Sequence, residues 1–393
     1  MTTRAPLAEL ATLFLRLGVT AFGGPAAHIA MMRDEVVDRR KWLTDAEFLD
    51  LLAATNLIPG PNSTEMAIHL GYRRAGLAGL ALAGVCFILP AALIVLPIAW
   101  AYAHYGETPQ AAWLAYGIAP VIIAIVAQAV IKLGRAAVTG IAPALLGAAA
   151  AALSIAGVNE LLLLGGGAAA GLAVAGARTL GRGGSSGGAA AAAWAVAIAA
   201  SGACLHAAGA VTAAAASVPV TLTRLALFFL KVGSILFGSG YVLLAFLRAD
   251  LTERWGWLTE QQLIDAVTVG QVTPGPVFTT ATFIGYLLGG VPGAVLATVA
   301  IFLPGFVFVA LTQPIIPRLR ASVLMGGALD GVVAASLGLM LAVTWQLADA
   351  AITDAATAGL AAAAAVILVI WQPNSTWLIL AGAVAGWLLH GTG

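Results

Sequence analysis

The chain carries little charge for its length. Of its 393 residues, 9% are Asp, Glu, Lys or Arg, whereas 61% are hydrophobic. A soluble domain carries about 25% charged residues, so this chain lacks the polar surface that would cover an apolar core in water. The shortage of charge excludes an ordinary water-soluble protein and predicts one embedded in a lipid bilayer.

Residues that build catalytic or metal sites are also scarce. None of the three lysines follows a glycine, which excludes a Walker phosphate-binding loop. The two cysteines, Cys86 and Cys204, lie in apolar stretches and are predicted to be small buried side chains rather than a disulfide or metal pair. The net charge of +1 offers no basic surface to nucleic acid. We therefore expect no enzyme, cofactor, metal or nucleic-acid partner.

Long apolar runs, by contrast, are abundant. Those that approach or exceed the roughly 20 residues of a spanning helix cover residues 76–103, 111–131, 137–158, 189–216, 291–313 and 355–371. They are rich in Ala, Leu, Val and Gly and do not alternate with period two, so they predict helices rather than the strands of a barrel. The predicted fold class is all-α, a polytopic helical membrane protein.

The chain is a duplication. Residues 15–61 align without gaps to residues 230–276, at a constant offset of 215. Matched positions include Arg16 with Lys231, Phe22-Gly23 with Phe237-Gly238, Trp42-Leu43-Thr44 with Trp257-Leu258-Thr259, Asp50 with Asp265, and Pro59-Gly60-Pro61 with Pro274-Gly275-Pro276. We predict an N-terminal repeat over 1–180, a linker loop and connecting helix over 181–221, and a C-terminal repeat over 222–393. A basic excess in the loop 33–41, greater than in 248–254, favours inverted repeats.

Each repeat is predicted to contain broken helices. A first helix, over 7–32 or 222–247, leads to a charged loop, and a capping box at Thr44 or Thr259 begins the next helix. That helix should end near Ile58 or Thr273, because proline cannot continue the helical hydrogen bonding. A second half-helix should start at the last proline of each Pro-Gly-Pro, where proline suits the first position. The Gly-rich segments 23–25 and 238–240 either break the first helices or permit close packing.

The breaks are the predicted substrate site. Irregular backbone at membrane depth is tolerated where it lines a polar cavity, and a half-helix N-terminus presents free N–H groups and the positive end of the helix dipole to an anion. The N-terminal break supplies Asn56, Pro59, Gly60, Pro61, Asn62, Ser63 and Thr64, and its counterpart supplies Gln271, Thr273, Pro274, Gly275, Pro276, Thr279 and Thr280. The alternative is a kink closed by its own hydroxyl groups.

Charged and polar residues of the first helices extend this predicted anion site. Arg16 with Thr20 and Gly23, and Lys231 with Ser234 and Gly238, share helix faces, and Gly24 follows Gly23 directly as a further candidate. The alternative for both cations is snorkelling to the membrane interface. Glu65, His28 and His69 are candidates for proton coupling, with packing or dipole stabilisation as the alternative. The charged residues of 33–41 are expected to form a solvated loop face or a gate.

Residues 22–76, with FGGP and PGPNST, resemble the signature region of the chromate ion transporter (CHR) family. Residues 237–286 resemble the C-terminal domain of that family, so the chain looks like its long, two-domain type. The resemblance implies a prokaryotic inner-membrane protein that exports chromate, with sulfate as a competitor and oppositely oriented halves. It gives functional weight to Gly23, Gly24, Pro25, Pro59, Gly60, Pro61, Asn62, Ser63, Thr64, Gly238, Gly240, Pro274, Gly275 and Pro276. The C-terminal break lacks Asn-Ser-Thr, which argues against two equivalent sites.

The sequence thus predicts a secondary transporter of chromate that works by alternating access and confers chromate resistance. A passive anion channel and a transporter of another oxyanion, such as sulfate, remain alternatives, as does a transported cation. The expected partners are the oxyanion, the lipid bilayer and a second copy of the chain in a homodimer.

Overall fold

The computed structural model describes residues 7–21, 24–55, 58–106, 108–137, 140–180, 219–236, 243–312, 323–371, 373 and 375–391. The helices of the N-terminal repeat are α1 (Leu7–Thr20), α2 (Gly24–Arg33), α3 (Asp45–Thr55), α4 (Asn62–Tyr105), α5 (Pro109–Ala137), α6 (Ile141–Ile155) and α7 (Glu160–Leu180). Those of the C-terminal repeat are α8 (Leu222–Ile235), α9 (Leu243–Phe246), α10 (Glu260–Val272), α11 (Thr280–Thr312), α12 (Val323–Ala351), α13 (Ala355–Ile370) and α14 (Ser375–Gly391). Six-residue and eight-residue π-helical turns, Asp34–Arg39 and Leu247–Arg254, follow α2 and α9.

The all-α prediction is confirmed, since every regular element in the described ranges is helical. Within the part of the chain that the structure describes, four helices are long and apolar enough to cross a membrane, and leucines on their outer surfaces, such as Leu93 and Leu311, are exposed. These features identify an integral membrane protein. Five of the predicted apolar runs coincide with α4, α5, α6, α11 and α13, whereas 189–216 lies outside the described residues. Helices α7, α12 and α14 were not predicted. Polar residues interrupt the apolar run of α12, whereas the runs 161–177 of α7 and 377–389 of α14 are continuous and were missed.

The first helix of each repeat, predicted over 7–32 and 222–247, is broken near its Gly-rich segment, which is one of the two alternatives that the sequence left open. In the N-terminal repeat α1 ends at Thr20 and α2 begins at Gly24. The chain then folds back, because Arg40, beyond α2, lies 3.5 Å from Glu9 in the first turn of α1. In the C-terminal repeat Lys231 of α8 likewise pairs with Asp250 of the returning π-helical turn. Each repeat therefore starts with a helical hairpin, here called the first hairpin.

A second hairpin follows in each repeat. Capping boxes begin α3 and α10, as predicted: the N–H of Glu47 donates to Thr44 Oγ1 at 3.2 Å, and Gln262 does the same to Thr259 at 3.1 Å. After the Pro-Gly-Pro turn the chain returns, because Arg73 Nη2 lies 3.2 Å from Glu47 Oε1. The α1 helix, 14 residues long, and these half-helices reach about 20 Å, short of the ~30 Å bilayer core.

The half-helices start one residue or more later than predicted. Pro61 is the N-cap of α4, with an extended ψ of 96°, so Asn62 is the first helical residue. After Pro276 a single 3₁₀ turn, Val277–Thr279, precedes α11. The φ of proline fits either position, and here its ψ keeps it outside the helix.

A sharp reversal ends each half-helix. Within α4, Ala75 and Gly76 leave the helical region, and Gly76 has a φ of 62°. The equivalent reversal in α11 lies at Gly289 and Gly290, with a φ of 61° at Gly290. Residues 62–74 consequently pack back against the long arm, 77–105, through close contact of two glycines, Gly71 and Gly79.

The repeats have opposite orientations. The long arm of α4 starts at the base of the N-terminal hairpins and runs about 40 Å away from it. Near its far end, Tyr102 donates a hydrogen bond to Asp265 Oδ2 at 2.6 Å. Asp265 lies in the half of α10 nearest the base of the C-terminal hairpins. That base must therefore lie on the opposite side of the molecule, which makes the repeats inverted.

Candidate functional site

The four hairpin tips meet between the repeats. The N–H of Gly60, in the first Pro-Gly-Pro turn, donates to the carbonyl oxygen of Leu236 at the end of α8, at 2.7 Å. The N–H of Gly275, in the second turn, donates to the carbonyl oxygen of Ala21 at the end of α1, at 2.9 Å. Gly60 and Gly275 are equivalent in the repeats, as are Ala21 and Leu236. Each second-hairpin tip is thus bound to the first-hairpin tip of the other repeat.

Only glycine suits these two turns. The φ of Gly60 is 144° and that of Gly275 is 87°, and residues other than glycine rarely adopt such positive values. Space is also lacking: a Cβ on Gly275 would lie 2.6 Å from the Cβ of Ala91 and 3.1 Å from the carbonyl oxygen of Gly18. The glycines thus allow the backbone of one repeat to approach that of the other.

Buried hydrogen-bonding side chains line the N-terminal tip. His28 Nε2 lies 3.0 Å from the Ala21 carbonyl oxygen, and its Nδ1 lies 3.3 Å from Ser63 Oγ. Because a carbonyl oxygen only accepts, Nε2 carries the proton, and in the neutral ring Nδ1 accepts from the Ser63 hydroxyl. The buried Thr64 hydroxyl has no partner among the described residues. The start of α4 thus presents two kinds of hydrogen-bond donor, its free backbone N–H groups and the Thr64 hydroxyl group.

The C-terminal tip has its hydroxyl groups occupied. Thr273 donates to the carbonyl oxygen of Val269 at 2.7 Å, and Thr279 donates to that of Pro276 at 2.8 Å. Thr280 donates to the carbonyl oxygen of Val277 at 2.8 Å. An oxyanion without protons can only accept hydrogen bonds, so these hydroxyl hydrogens are unavailable to it as the structure stands. The two tips therefore differ chemically despite their common backbone arrangement.

Glu65 is the buried acid of the N-terminal tip. Its side chain is inaccessible to solvent, and neither carboxyl oxygen has a hydrogen-bond partner within the described chain. The carboxyl group contacts Gly60 of its own turn, and a Cβ on Gly305 of α11 would lie 3.8 Å from Oε1. Glu65 thus lies at the boundary between the repeats, in the first turn of the half-helix. His69, one turn further, is also buried.

The hairpin bases hold a duplicated ion network. In the N-terminal repeat the buried Glu35 contacts Arg16, Arg39 and Arg40. In the C-terminal repeat the buried Asp250, equivalent to Glu35, contacts Lys231 and Arg254. Arg33 with Asp38 and Asp45, and Arg248 with Glu253 and Glu260, form a second set of equivalent pairs. The expected solvated face is therefore an ion-pair network around a buried acid.

Glu47 completes the N-terminal base. Hydrogen bonds from the backbone N–H and the hydroxyl of Thr44 lower the pKa of the Glu47 carboxyl group. The carboxylate is thereby kept ionised opposite Arg73. The start of α3 and the end of the half-helix are in this way fastened to each other.

Arg16 lies between the tip and the base of the N-terminal first hairpin rather than at the tip. It lines a cavity of about 600 Å³ together with Thr20, Met31, Glu35 and Arg39. The Thr20 hydroxyl donates to the Arg16 carbonyl oxygen at 2.8 Å, and Ser234 does the same to Leu230 at 2.7 Å. Arg16 and Lys231 each have a buried carboxylate partner, so neither is an isolated charge. Their assignment to anion binding stays a prediction.

The predicted site residues fall into three groups. The structure brings Pro59, Gly60, Pro61, Asn62, Ser63, Thr64, His28 and Glu65 together with Pro274, Gly275 and Pro276 around the crossing tips, with Gly24 at the start of α2 and Gln271, Thr273 and Thr279 flanking the second turn. Arg16, Thr20, Lys231 and Ser234 belong to the region between tip and base. Gly23, Asn56 and Gly238 lie outside the described residues.

Glu35 and Asp250 are the residues that sequence reasoning missed. A usable signal was present, because the offset of 215 also aligns Arg33 with Arg248, Glu35 with Asp250, Asp38 with Glu253, Arg39 with Arg254 and Asp45 with Glu260. Charge of the same sign at all five positions indicates a constrained network rather than a variable solvated loop.

Comparison with known proteins adds independent information. The model of a family described as chromate transporter matches residues 8–172 and again 223–387, one match in each repeat. The internal repeat deduced from the sequence is thereby confirmed. No solved structure matches the chain.

Several curated relatives resemble the chain over most of its length. A chromate transport protein of Cupriavidus metallidurans is 34% identical over 389 residues, covering 98% of this chain and 94% of that protein. One of Pseudomonas aeruginosa is 34% identical over 393 residues, covering 97% and 92%. A probable chromate transport protein of Synechococcus elongatus is 31% identical over 336 residues, covering 84% and 82%.

Proposed function

This chain belongs to the chromate transporter family, a family of membrane transporters rather than enzymes, and on that premise we propose that it carries chromate across the prokaryotic inner membrane. The observation that carries the proposal is the crossing of the hairpin tips, where the Gly60 and Gly275 N–H groups bond to the opposite repeat. Inverted repeats with discontinuous helices place a substrate near the midplane in secondary transporters. The substrate site is the N-terminal tip.

The chemistry of this tip suits a tetrahedral dianion. Chromate only accepts hydrogen bonds, and the start of α4 offers backbone N–H groups, the positive end of the helix dipole and the Thr64 hydroxyl. Sulfate has the same charge and shape, and a difference in size alone gives modest discrimination. We therefore include sulfate as a competing substrate.

The two ion networks are proposed to act as gates. They lie at the bases of inverted hairpins, so they are on opposite sides of the tips. Alternating access requires one pathway to open while the other closes, and the cavity beside Arg16 and Glu35 provides a pathway on one side. Arg16 and Lys231 would attract the anion into these pathways, and their acidic partners would hold the closed state.

Membrane potential favours export by such a carrier. Moving one elementary charge through 100 mV is equivalent to about 2.3 kcal/mol, so a dianion leaving a cell with a negative interior gains about 4.6 kcal/mol. That energy corresponds to a ratio of outside to inside concentration of about two thousand. Export, and with it chromate resistance, then needs no nucleotide. The duplicated architecture is also compatible with the proposed homodimer.

Paired substitutions at the two tips test the site. Thr64→Val removes the hydroxyl without a partner, whereas Thr279→Val removes one already bonded to Pro276. A hydrogen bond to a charged group contributes about 1.5–3 kcal/mol, so Thr64→Val should weaken chromate binding about tenfold or more and Thr279→Val much less. Chromate binding to purified protein and uptake into inverted vesicles are the measurements. Equal effects of the two changes would refute the assignment.

Counterflow decides between a carrier and the alternative, a passive anion channel. Vesicles preloaded with unlabelled chromate should take up labelled chromate faster through a carrier, because the loaded form returns more readily. A channel gives no such acceleration, and that result would overturn alternating access while leaving chromate permeation intact. Sulfate added to the same assay should slow chromate uptake.

A further inference from the structure

We propose that Glu65 binds a proton together with the oxyanion, so that each dianion crosses the membrane with one proton; this inference rests on the proposed function. Glu65 is fully buried in the first turn of the half-helix that forms the substrate site, and both of its oxygens lack partners among the described residues. An isolated ionised carboxylate is strongly disfavoured in such a place, and the group prefers to become neutral.

The position of Glu65 makes it respond to the substrate. Its carboxyl group contacts Gly60, whose turn carries the proposed anion site, and faces Gly305 of the other repeat. An ionised carboxylate and a dianion repel each other in one buried space, where screening by water is weak. A bound dianion therefore raises the affinity of Glu65 for a proton, and by thermodynamic reciprocity a bound proton raises the affinity for the dianion by the same factor.

No described charge near Glu65 can replace the proton. Helix α11 carries no charged residue or histidine. On α2 the nearest titratable group is His28, which bonds to Ala21 and Ser63, and on α4 it is His69. Arg16 of α1 already pairs with Glu35. The charged residues of α3 and α10 are all acids, so they cannot neutralise Glu65: Asp45, Glu47, Asp50, Glu260 and Asp265. Of these, Asp45, Glu47 and Glu260 lie in first helical turns, at the hairpin bases.

The proposed transport cycle moves one proton with each dianion and balances in charge and mass. Glu65 takes a proton from water on the side at which the anion enters and releases it with the anion on the other side, without any redox change. One proton accompanies one dianion, so the net charge that crosses is −1 instead of −2. Membrane potential still drives export, although with half the electrical work.

Proteoliposomes in alkaline buffer, where chromate itself carries no proton, provide the test. For the wild type, internal pH and labelled chromate should change together, and one pH unit across the membrane should change the accumulation ratio of chromate about tenfold. Glu65→Gln should transport chromate without proton movement and without a response to the pH gradient. Glu160→Gln, which alters another buried acid with an unpartnered oxygen, is the matched control and should behave as the wild type.

Three outcomes would overturn the inference: a wild type that moves chromate without protons, a Glu65→Gln variant that keeps the pH response, or loss of the response in His28→Gln alone. If Glu65→Gln binds chromate but does not transport it, equilibrium binding provides the test. The affinity of the wild type for chromate should fall with rising pH, and that of the variant should not. An equal dependence of affinity on pH in the two proteins would refute the role of Glu65. Absence of any chromate transport by the wild type would instead refute the proposed function.

Discussion

At residue 275 the backbone of one repeat touches that of the other. The φ of Gly275 is 87°, and the adjacent space is occupied by Ala91 and the carbonyl group of Gly18. Two separate demands on the residue type therefore apply at Gly275: it must adopt an unusual backbone conformation, and it must have no side chain. Gly157 meets only the first demand, with a φ of 85° and no atom within 4 Å of an added Cβ.

Alanine at these two positions separates the demands. Gly157→Ala should destabilise the protein by about 1 kcal/mol, the usual penalty of a left-handed conformation. Gly275→Ala adds a steric conflict of about 1–3 kcal/mol and displaces the hydrogen bond to Ala21, so its total should reach about 3 kcal/mol. Thermal unfolding in detergent measures both. Similar melting temperatures for the two variants would contradict the close approach of the repeats.

At the scale of elements, each first hairpin is closed at its base by cations around one buried acid. The two repeats differ in how many cations surround it. Glu35 contacts Arg39 at 3.0 Å and also Arg40, in addition to Arg16. Asp250 has Lys231 and a more distant, exposed Arg254 at 3.5 Å. At the N-terminal base the cations that neutralise the buried acid are therefore redundant, whereas at the C-terminal base the acid depends mainly on one lysine.

Removing the equivalent cations should expose this asymmetry. Lys231→Met leaves Asp250 buried without a close partner and should cost about 3 kcal/mol. Arg16→Met leaves Glu35 with two arginines and should cost about 1 kcal/mol or less. The second change Asp250→Leu should restore most of the stability lost in Lys231→Met. Unfolding in detergent compares the four proteins, and equal losses for Arg16→Met and Lys231→Met would argue against the redundancy.

For the whole molecule, inverted repeats place equivalent residues on opposite sides of the bilayer. The long arm of α4 links these sides, because it begins beside the N-terminal hairpins and meets Asp265 of the C-terminal second hairpin through Tyr102. Small residues hold the outer helices together: Gly171 of α7 packs against Gly327 of α12, as is common for helices in membranes.

Cysteine labelling tests the orientation. Asp38 and Glu253 are equivalent, and their side chains are 48% and 49% exposed. In a chain with Cys86 and Cys204 replaced by alanine, Asp38→Cys and Glu253→Cys should react with a membrane-impermeant thiol reagent from opposite sides. Intact and inverted vesicles give the two readings. Labelling of both positions from one side would show that the repeats are parallel.

The position of the candidate site along the chain could be predicted and its geometry only partly, and its role in anion binding stays a prediction. The Pro-Gly-Pro turns, the hydrogen-bonding residues after the first turn and Glu65 all follow from local rules that act within one helical turn. The partners of Arg16 and Lys231 do not, because they lie on a helix that folds back after a break. The bonds from Gly60 and Gly275 join different repeats, and no local pattern encodes such contacts.

The sequence by itself determined that the protein lies in a membrane, that it is duplicated, and that its helices are capped at Thr44 and Thr259 and broken by proline. Composition, repetition and backbone chemistry are sufficient for these conclusions. Loop charge and the family resemblance only favoured inverted repeats. The tertiary structure decided that the hairpins cross at their tips, and that the buried acids Glu35 and Asp250 hold the cations of the first helices. These features depend on packing between distant segments, where close glycine contacts and buried charge select one arrangement from several that the local sequence allows.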